Sequence, residues 1–246
     1  AALRAPRGLR RGASALSVAA LRRFHAPAHH IYVATASIEA QLRDWGFENR
    51  FVRLVRGVDL GLFHPGQAPA TALASAGASA AASAGAGEPV LLYVGRVAVE
   101  KNLESFLSLR VPGRKVVVGD GPALPALRRR FPEATFTGTL TGTALAEAYR
   151  AADVFVFPSR TDTFGIVLIE ALASGLPIAA HDAPGPRDIV GSDLRLGALD
   201  DDLGAAVARA LASPGTRRER HAIARARYGW REVARTFRQN AAEFAP

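Results

Sequence analysis

The stretch that decides the fold is VFVFPSRTDTFGIVLIEALASGLPIAA, residues 154–180. It contains an apolar strand at 154–158, a loop, a helix at 164–174 and a second apolar strand at 177–180. A strand, a helix and a strand at this spacing predict a βαβ unit with parallel strands. Between Thr163 and Ala180 the only charged residue is Glu170. A buried, unpaired carboxylate costs several kcal/mol, so Glu170 needs a partner or a ligand.

The same alternation begins upstream of this stretch. Three further apolar runs, VLLYVG (90–95), KVVVG (115–119) and ATFTG (134–138), are separated by helical stretches at 101–109, 123–131 and 143–152. Strands that are apolar almost throughout suit a parallel sheet covered on both faces. We therefore predict an α/β fold with a Rossmann-like parallel sheet over residues 89–200, followed by two or three closing helices in 201–246.

The first part of the chain predicts a smaller unit. Residues 1–66 indicate a helix ending near His29, a strand at 31–35, a helix at 36–45 and a second strand near 51–55, which is a fragment of a second α/β domain. Residues 67–88, QAPATALASAGASAAASAGAGE, have little to bury and predict a flexible linker. The alternative, an Ala-rich helix, is weakened by the three glycines in the segment.

Composition narrows the function classes. The 31 Lys and Arg residues against 22 Asp and Glu give a charge of +9, and the only lysines are Lys101 and Lys115. Arginine clusters near both ends could attract nucleic acid, anionic lipid or phosphorylated ligands. Aromatic residues are not interleaved with them, which argues against nucleic acid. The chain has no cysteine, which excludes thiolate metal sites, and its basic start could lie on a membrane surface.

Candidate ligand-binding residues follow the strands, because ligands of open α/β sheets bind at the carboxyl ends of the strands. The first strand of the predicted sheet is followed by GRVAVEKN (95–102), which contains Arg96 and Lys101. Two cations that converge suit a diphosphate, with each charge-assisted contact contributing about 1.5–3 kcal/mol. The alternative is that one of these cations forms a surface ion pair, Arg96–Glu100 or Lys101–Glu104, which would contribute little to stability.

The second strand is followed by GDGP (119–122). Gly119 and Gly121 allow a tight turn, and Pro122 suits the first position of a helix. The third glycine of a dinucleotide fingerprint is missing, and ATFTG does not end in an acid, so a dinucleotide-dependent oxidoreductase is disfavoured. We interpret GDGP as a structural turn with a secondary contact to a base.

The fourth strand is followed by PSRTDTFG (158–165) and a helix start, where free backbone N–H groups favour an anion. Asp162 lies on this loop, and Glu170 lies about two turns into the helix. A carboxylate accepts two hydroxyl hydrogen bonds, as a ribose would offer. The alternative for Glu170 is an arginine partner within the fold. Together these residues favour a diphosphate flanked by two polyols, which describes a nucleotide sugar.

Several ordered sequence blocks resemble one known family. Residues 90–190 resemble the carboxyl-terminal domain of glycosyltransferase family 4, retaining enzymes of the GT-B fold, most of all bacterial α-mannosyltransferases that use GDP-mannose. The resemblance is carried, in the family's order, by GRVAVEKN, VVVGDGP, LAEAYRAADVFVFPSRTDTFGIVLIEALASGLP and GPRDIV. RGVDLGLFHPG resembles the inter-domain linker, and YGWREVARTFRQNAAEF resembles the closing helix that returns to the amino-terminal domain.

The resemblance implies roles for individual residues. Arg96 and Lys101 would bind the donor diphosphate, and Glu170 the ribose. Asp162 would meet the transferred sugar and, with Arg96 and Lys101, would form the catalytic set. The family's paired acids are E-x7-E, and here the first is Asp162, one methylene shorter. The other substrate-binding positions would be Gly95, Gly121, Thr163, Phe164, Gly165, Gly138, Thr139 and Leu140, of which Gly121 and Gly138–Leu140 border the base.

The resemblance also implies an activity: transfer of a hexose, mannose or similar, from a GDP-sugar or UDP-sugar to a lipid or glycan acceptor with retention of configuration. It implies no cofactor and no metal, a cytoplasmic location and contact with the inner membrane face as an option. The family's amino-terminal domain supplies a glycine-rich loop and most of the acceptor site, and only its last fragment is recognised here. We therefore expect the isolated chain to transfer sugar poorly, and keep a non-catalytic nucleotide-sugar-binding module as the alternative.

Overall fold

The structure is a computed structural model that describes residues 7–67 and 87–242. The predicted linker, 67–88, lies outside the described residues except at its ends. The helices are α1 (Arg7–His25), α2 (Ala36–Asp44), α3 (Leu103–Leu107), α4 (Leu124–Arg130), α5 (Gly142–Arg150), α6 (Ile166–Ala173), α7 (Pro184–Val190), α8 (Leu203–Leu211), α9 (Arg217–Tyr228) and α10 (Trp230–Ala242). The strands are β1 (His30–Val33), β2 (Arg50–Arg53), β3 (Val90–Val94), β4 (Arg114–Val118), β5 (Thr135–Gly138), β6 (Val154–Phe157), β7 (Ile178–Ala180) and β8 (Gly197–Leu199).

Six strands form a parallel sheet in the order β5-β4-β3-β6-β7-β8. The chain builds outward from β3 to β5 on one side and then returns to β6, which pairs with the other side of β3. The loops that leave β3 and β6 therefore turn away from each other and open a crevice at the carboxyl edge of the sheet. Ligands of doubly wound sheets bind at such a switch point.

Both faces of the six-stranded sheet are covered, as the apolar strands predict. Leu92 of β3 lies in a core cluster with residues of α5, α6 and α9, including Tyr149. Leu91 and Tyr93 of the same strand lie in a second cluster with α3, α4 and α8. Alternate residues of β3 thus enter opposite cores, which confirms the predicted α/β fold with a doubly covered parallel sheet.

The first unit is small. β1 and β2 form a two-stranded parallel sheet, with α2 connecting them. The carboxyl-terminal part of the chain packs onto this unit: the rings of Phe237 in α10 and Tyr32 in β1 lie 6.0 Å apart. The backbone N–H of Val58 donates to the carbonyl of Tyr228 at 2.8 Å, so the segment after β2 is held against the end of α9.

Three features differ from the sequence predictions. The first helix ends at His25 rather than near His29. Helix α7 was not predicted, because PGPRDIV contains two prolines and a glycine, although proline is tolerated in the first turn of a helix. Strand β8 was not predicted either, because GAL is only three residues long and contains no β-branched residue. Across 7–67 and 87–242, no helix has the length and apolar character needed to cross a bilayer.

Candidate functional site

The largest opening at the switch point is a cleft of about 590 Å³ between the loops that follow β3 and β6. Gly95, Arg96, Glu100 and Lys101 line one wall, and residues from Asp162 to Val167 line the other. A second cavity of about 280 Å³ shares Gly95 and Arg96 with this cleft and continues over the ends of β4 and β5. The two cavities therefore form one groove along the carboxyl edge of the sheet.

Most of the residues predicted from sequence meet in this groove. The larger cleft contains all the predicted positions of the β3 and β6 loops: Gly95, Arg96, Lys101, Asp162, Thr163, Phe164 and Gly165. The smaller cavity contains Thr139 and Leu140. Neither cavity is lined by Gly121, Gly138 or Glu170. Asp120, which was not predicted, lines the smaller cavity in place of its neighbour Gly121.

Both predicted cations have carboxylate partners. Lys101 Nζ lies 2.5 Å from Asp162 Oδ1, and each side chain is about a quarter exposed, at 24% and 23%. Arg96 Nη1 lies 3.6 Å from Glu100 Oε1, and both of these side chains are more than half exposed. The Arg96–Glu100 pair considered from sequence therefore forms, whereas Glu104 pairs with Arg130 instead of Lys101. The pairing of Lys101 with Asp162 was not predicted, since the two residues are 61 positions apart.

Asn102 fixes the loop that carries Lys101. Its backbone is left-handed, with φ 55°, which is uncommon for a residue other than glycine. Its Nδ2 donates to the carbonyl of Pro158 at 3.2 Å, directly after β6. The hydrogen bond ties the β3 loop to the β6 loop, so Asn102 helps to hold the walls of the cleft together.

The GDGP turn packs tightly against the β3 loop. The backbone N–H of Val97 donates to Asp120 O at 2.9 Å, and that of Ala123 donates to Val97 O at 3.0 Å. A Cβ on Gly119 would lie 1.9 Å from Gly95 O, and one on Gly121 would lie 2.3 Å from Val97 O. These glycines therefore permit close backbone contact, which agrees with the interpretation of GDGP as a structural turn.

The start of α6 faces the cleft. Gly165 precedes the helix in a left-handed conformation, with φ 79°, and the first-turn residues Ile166 and Val167 line the cleft. The N–H groups of a first helical turn have no carbonyl partner within the helix, and the helix dipole adds partial positive charge there. This arrangement favours a negatively charged group at the centre of the cleft.

Glu170 lies one turn further along α6, on the same face as Ile166 and Val167 because residues three and four apart are neighbours on a helix. The hydroxyl of the fully buried Tyr149 donates to Glu170 Oε2 at 2.9 Å. Burial raises the pKa of Glu170 above its ordinary value, and the Tyr149 hydrogen bond offsets part of that increase. The partner within the fold is thus a tyrosine rather than an arginine.

One further cation, Arg56, reaches the cleft from the segment after β2. Arg56 was not predicted from the sequence, because it lies outside the strand-end loops of the sheet. The signal that could have found it is the resemblance of RGVDLGLFHPG to an inter-domain linker. The described residues contain no group of three or more His, Asp or Glu side chains that could hold a metal ion.

Comparisons with known proteins agree with this geometry. A family model described as "Glycosyl transferases group 1" matches residues 88–213, which include the six-stranded sheet and all the residues that line the groove except Arg56. The chain is 41% identical over 143 residues to a GDP-mannose-dependent alpha-mannosyltransferase of Mycobacterium tuberculosis, a match that covers 57% of this chain and 36% of the relative. The chain therefore spans about a third of the length of this curated relative.

Solved structures show the same fold over nearly the whole chain. A sucrose-phosphate synthase from Thermosynechococcus elongatus superposes with a TM-score of 0.76 and 26% identity, covering 92% of this chain and 61% of that chain. The HepE protein of Anabaena in complex with UDP and glucose superposes with a TM-score of 0.68, covering 94% of this chain and 67% of that chain. At 15% identity the second likeness shows the fold alone.

Proposed function

Since the chain belongs to the group 1 glycosyl transferases, we propose that its groove binds a nucleotide-diphosphate sugar whose sugar is transferred to an acceptor. The observation that carries the proposal is the meeting of Arg96, Lys101, Asp162 and the start of α6 at the switch point of the sheet. This is a cationic, N–H-rich centre with a carboxylate beside it. Such a centre suits a diphosphate joined to a polyol.

We propose one direction for the donor along the groove. The diphosphate lies at the first turn of α6, within reach of Arg96 and Lys101, where charge-assisted hydrogen bonds are strongest. The ribose hydroxyls donate to Glu170, one turn deeper on the same helix face. The base occupies the 280 Å³ extension beside Thr139 and Leu140. The transferred sugar lies against Asp162 and the backbone of Thr163, Phe164 and Gly165.

The reaction breaks the bond between the anomeric carbon and the diphosphate oxygen and forms a bond to an acceptor hydroxyl. We propose retention through an oxocarbenium-like transition state, with the acceptor on the same face as the leaving group. The acceptor proton then passes to the leaving phosphate oxygen. Arg96, Lys101 and the N–H groups of α6 stabilise the negative charge that develops on the diphosphate, which is the role a metal ion has in other sites.

The donor we propose is a hexose nucleotide, GDP-mannose first. Support comes from the name of the mycobacterial relative, a GDP-mannose-dependent alpha-mannosyltransferase. A UDP-sugar is the second candidate, since the HepE structure of the same fold contains UDP and glucose. Few groove residues lie beside the base in this arrangement, so titration with both diphosphates is what identifies the base.

We propose a lipid or glycan acceptor and peripheral contact with the inner membrane face. The feature in favour is α1, which exposes Leu16 and Phe24 at 75% and 77% beside the basic residues Arg22 and Arg23. Exposed apolar residues next to arginines favour binding to an anionic lipid surface. Sedimentation with anionic and with neutral vesicles tests this part, and equal binding to both, or to neither, would contradict it.

Calorimetric titration of the chain with GDP, UDP and NAD tests the donor site. We expect GDP or UDP to bind, NAD not to bind, and both Glu170→Ala and Arg96→Ala to weaken binding. The exposed Arg110, in the loop between α3 and β4, provides an Arg110→Ala control with the same change in charge. Failure of both diphosphates to bind would contradict the proposal. Binding without any release or transfer of sugar from GDP-mannose or a UDP-sugar would favour the non-catalytic binding module.

A further inference from the structure

We propose that Arg56 is a third cation of the donor-diphosphate site and gives the side chains of the cleft a net positive charge. This inference rests on the proposed function and deepens it. Arg56 lines the 590 Å³ cleft together with Arg96 and Lys101, although it belongs to the segment between β2 and the sheet.

The charges of the cleft carry the inference. Its charged lining residues are Arg56, Arg96, Lys101, Glu100 and Asp162. Lys101 is paired with Asp162 at 2.5 Å, and Arg96 is near Glu100 at 3.6 Å. The guanidinium of Arg56 has no hydrogen-bond or ion-pair partner among residues 7–67 and 87–242. Without Arg56, the side-chain cations and carboxylates lining this cleft would balance, and only the start of α6 would attract a diphosphate.

The position of Arg56 is fixed by its neighbours. A Cβ on Gly57 would lie 2.4 Å from the ring of Trp230, so the backbone beside Arg56 packs directly on that ring. Val58 N–H donates to Tyr228 O at 2.8 Å, and Val58 and Gly229 form a parallel bridge. The segment carrying Arg56 is therefore held by the turn between α9 and α10.

The same turn also contacts the other wall of the cleft. The ring of Tyr228 packs edge-on against Phe164, with centroids 6.2 Å apart, and Phe164 belongs to the β6 loop that carries Asp162. Tyr228 thus contacts both the segment of Arg56 and the loop proposed to hold the transferred sugar. Arg56 is placed over the cleft by the closing helices.

The test separates a diphosphate contact from a general effect. The whole 246-residue chain is titrated with GDP and UDP, and with guanosine and uridine, which have no phosphate. The variants are Arg56→Ala, Arg56→Lys and the control Arg110→Ala. Because the Arg56 side chain is exposed, its substitution leaves the fold intact, and circular dichroism melting verifies this.

We expect Arg56→Ala to weaken the binding of the diphosphate about tenfold, which corresponds to one charge-assisted contact, with nucleoside binding unchanged. Arg56→Lys retains part of the affinity, and Arg110→Ala matches the original chain. Two results would overturn the assignment of Arg56 but not the proposed function. One is that Arg56→Ala leaves the affinity for the diphosphate unchanged, and the other is that it weakens the binding of the nucleoside by the same factor. Absence of diphosphate binding to the original chain would overturn the proposed function and this inference together.

Discussion

Lys101 and Asp162 form an ion pair across the switch point of the sheet, with Nζ 2.5 Å from Oδ1. One residue follows β3 and the other follows β6, so the pair bridges the crevice between the two loops. Under the proposed function, each partner also contacts the donor, since Lys101 binds the diphosphate and Asp162 binds the transferred sugar. A bound donor must therefore share or replace this ion pair.

The first prediction concerns this pair. Asp162→Asn removes a charge that competes with the diphosphate for Lys101. We expect it to tighten the binding of free GDP or UDP roughly fivefold, which corresponds to about 1 kcal/mol for a partly exposed pair, and to lower sugar transfer. Lys101→Ala should weaken binding of the same diphosphate. Calorimetry measures both, and a loss of diphosphate affinity in Asp162→Asn would contradict the competition.

The second prediction concerns Glu170 and pH. Burial raises the pKa of Glu170 in the folded state above its ordinary 4.5. At pH values between 4.5 and the raised pKa of the folded state, Glu170 is protonated more often in the folded chain than in the unfolded chain. The free energy of unfolding therefore falls as pH rises through this interval. Glu170→Gln keeps an acceptor for Tyr149 but has no such titration. We expect the variant to gain stability relative to the original chain as pH rises from about 4 to about 8.

Urea denaturation at several pH values measures this difference. Parallel stability profiles for the original chain and Glu170→Gln would show that the carboxylate carries no cost of burial. The same variant should weaken nucleotide binding, because an amide accepts fewer hydroxyl hydrogen bonds than a carboxylate. At neutral pH we thus expect Glu170→Gln to raise the free energy of unfolding and to weaken nucleotide binding. Opposite effects of this kind are expected for a residue that serves a ligand rather than the fold.

The third prediction concerns Asn102. Asn102→Gly retains the left-handed conformation and loses only the hydrogen bond to Pro158, at a cost of about 1 kcal/mol. Asn102→Ala also places a side chain in an unfavourable conformation at φ 55°, which adds about 1–2 kcal/mol. We expect both variants to weaken diphosphate binding, because the loop of Lys101 loses its hydrogen bond to the end of β6, while the ion pair with Asp162 remains. Equal stabilities of the two variants in urea would argue against backbone strain at this position.

The fourth prediction compares two glycines with positive φ near the groove. A Cβ on Gly138 meets nothing within 4 Å. Gly138→Ala should therefore lower the free energy of unfolding by only about 1–2 kcal/mol, because alanine is strained at positive φ. Gly119→Ala would place its Cβ 1.9 Å from Gly95 O and must push two strand-end loops apart. We expect Gly119→Ala to cost about 3 kcal/mol or more, in the range of disruptive core changes. Equal losses in urea denaturation would mean that the loops separate freely.

The sequence predicts the sheet well because its signals are local. Strands β3 to β7 are short and mostly apolar or β-branched, with Gly or Pro at one end or both, and their positions need no knowledge of the rest of the chain. The short strand β8 pairs along β7, with Ala198 opposite Ala179, and its three residues carry no pattern of their own. Such a strand forms because it pairs with β7, and a local sequence pattern holds no information about that pairing.

The candidate site is predictable in its location but not in its contacts. The strand-end rule identified Arg96, Lys101 and Asp162, since their positions follow from topology. The partners of Lys101 and Glu170 are 61 and 21 residues away, and only the packing of the loops and of α5 against α6 brings them together. Arg56 was not predicted, because the contacts that hold its segment at the cleft come from the turn between α9 and α10, far along the chain.

The most direct test of the central claim is a crystal structure of the chain with GDP or UDP bound. We predict the diphosphate at the start of α6, beside Arg96 and Lys101, with the ribose hydroxyls within hydrogen-bond distance of Glu170. The chain offers an alternative site, a cavity of about 690 Å³ lined by Arg22, Arg23 and Arg50 beside α1. A nucleotide bound there, with the switch-point cleft empty, would contradict the claim.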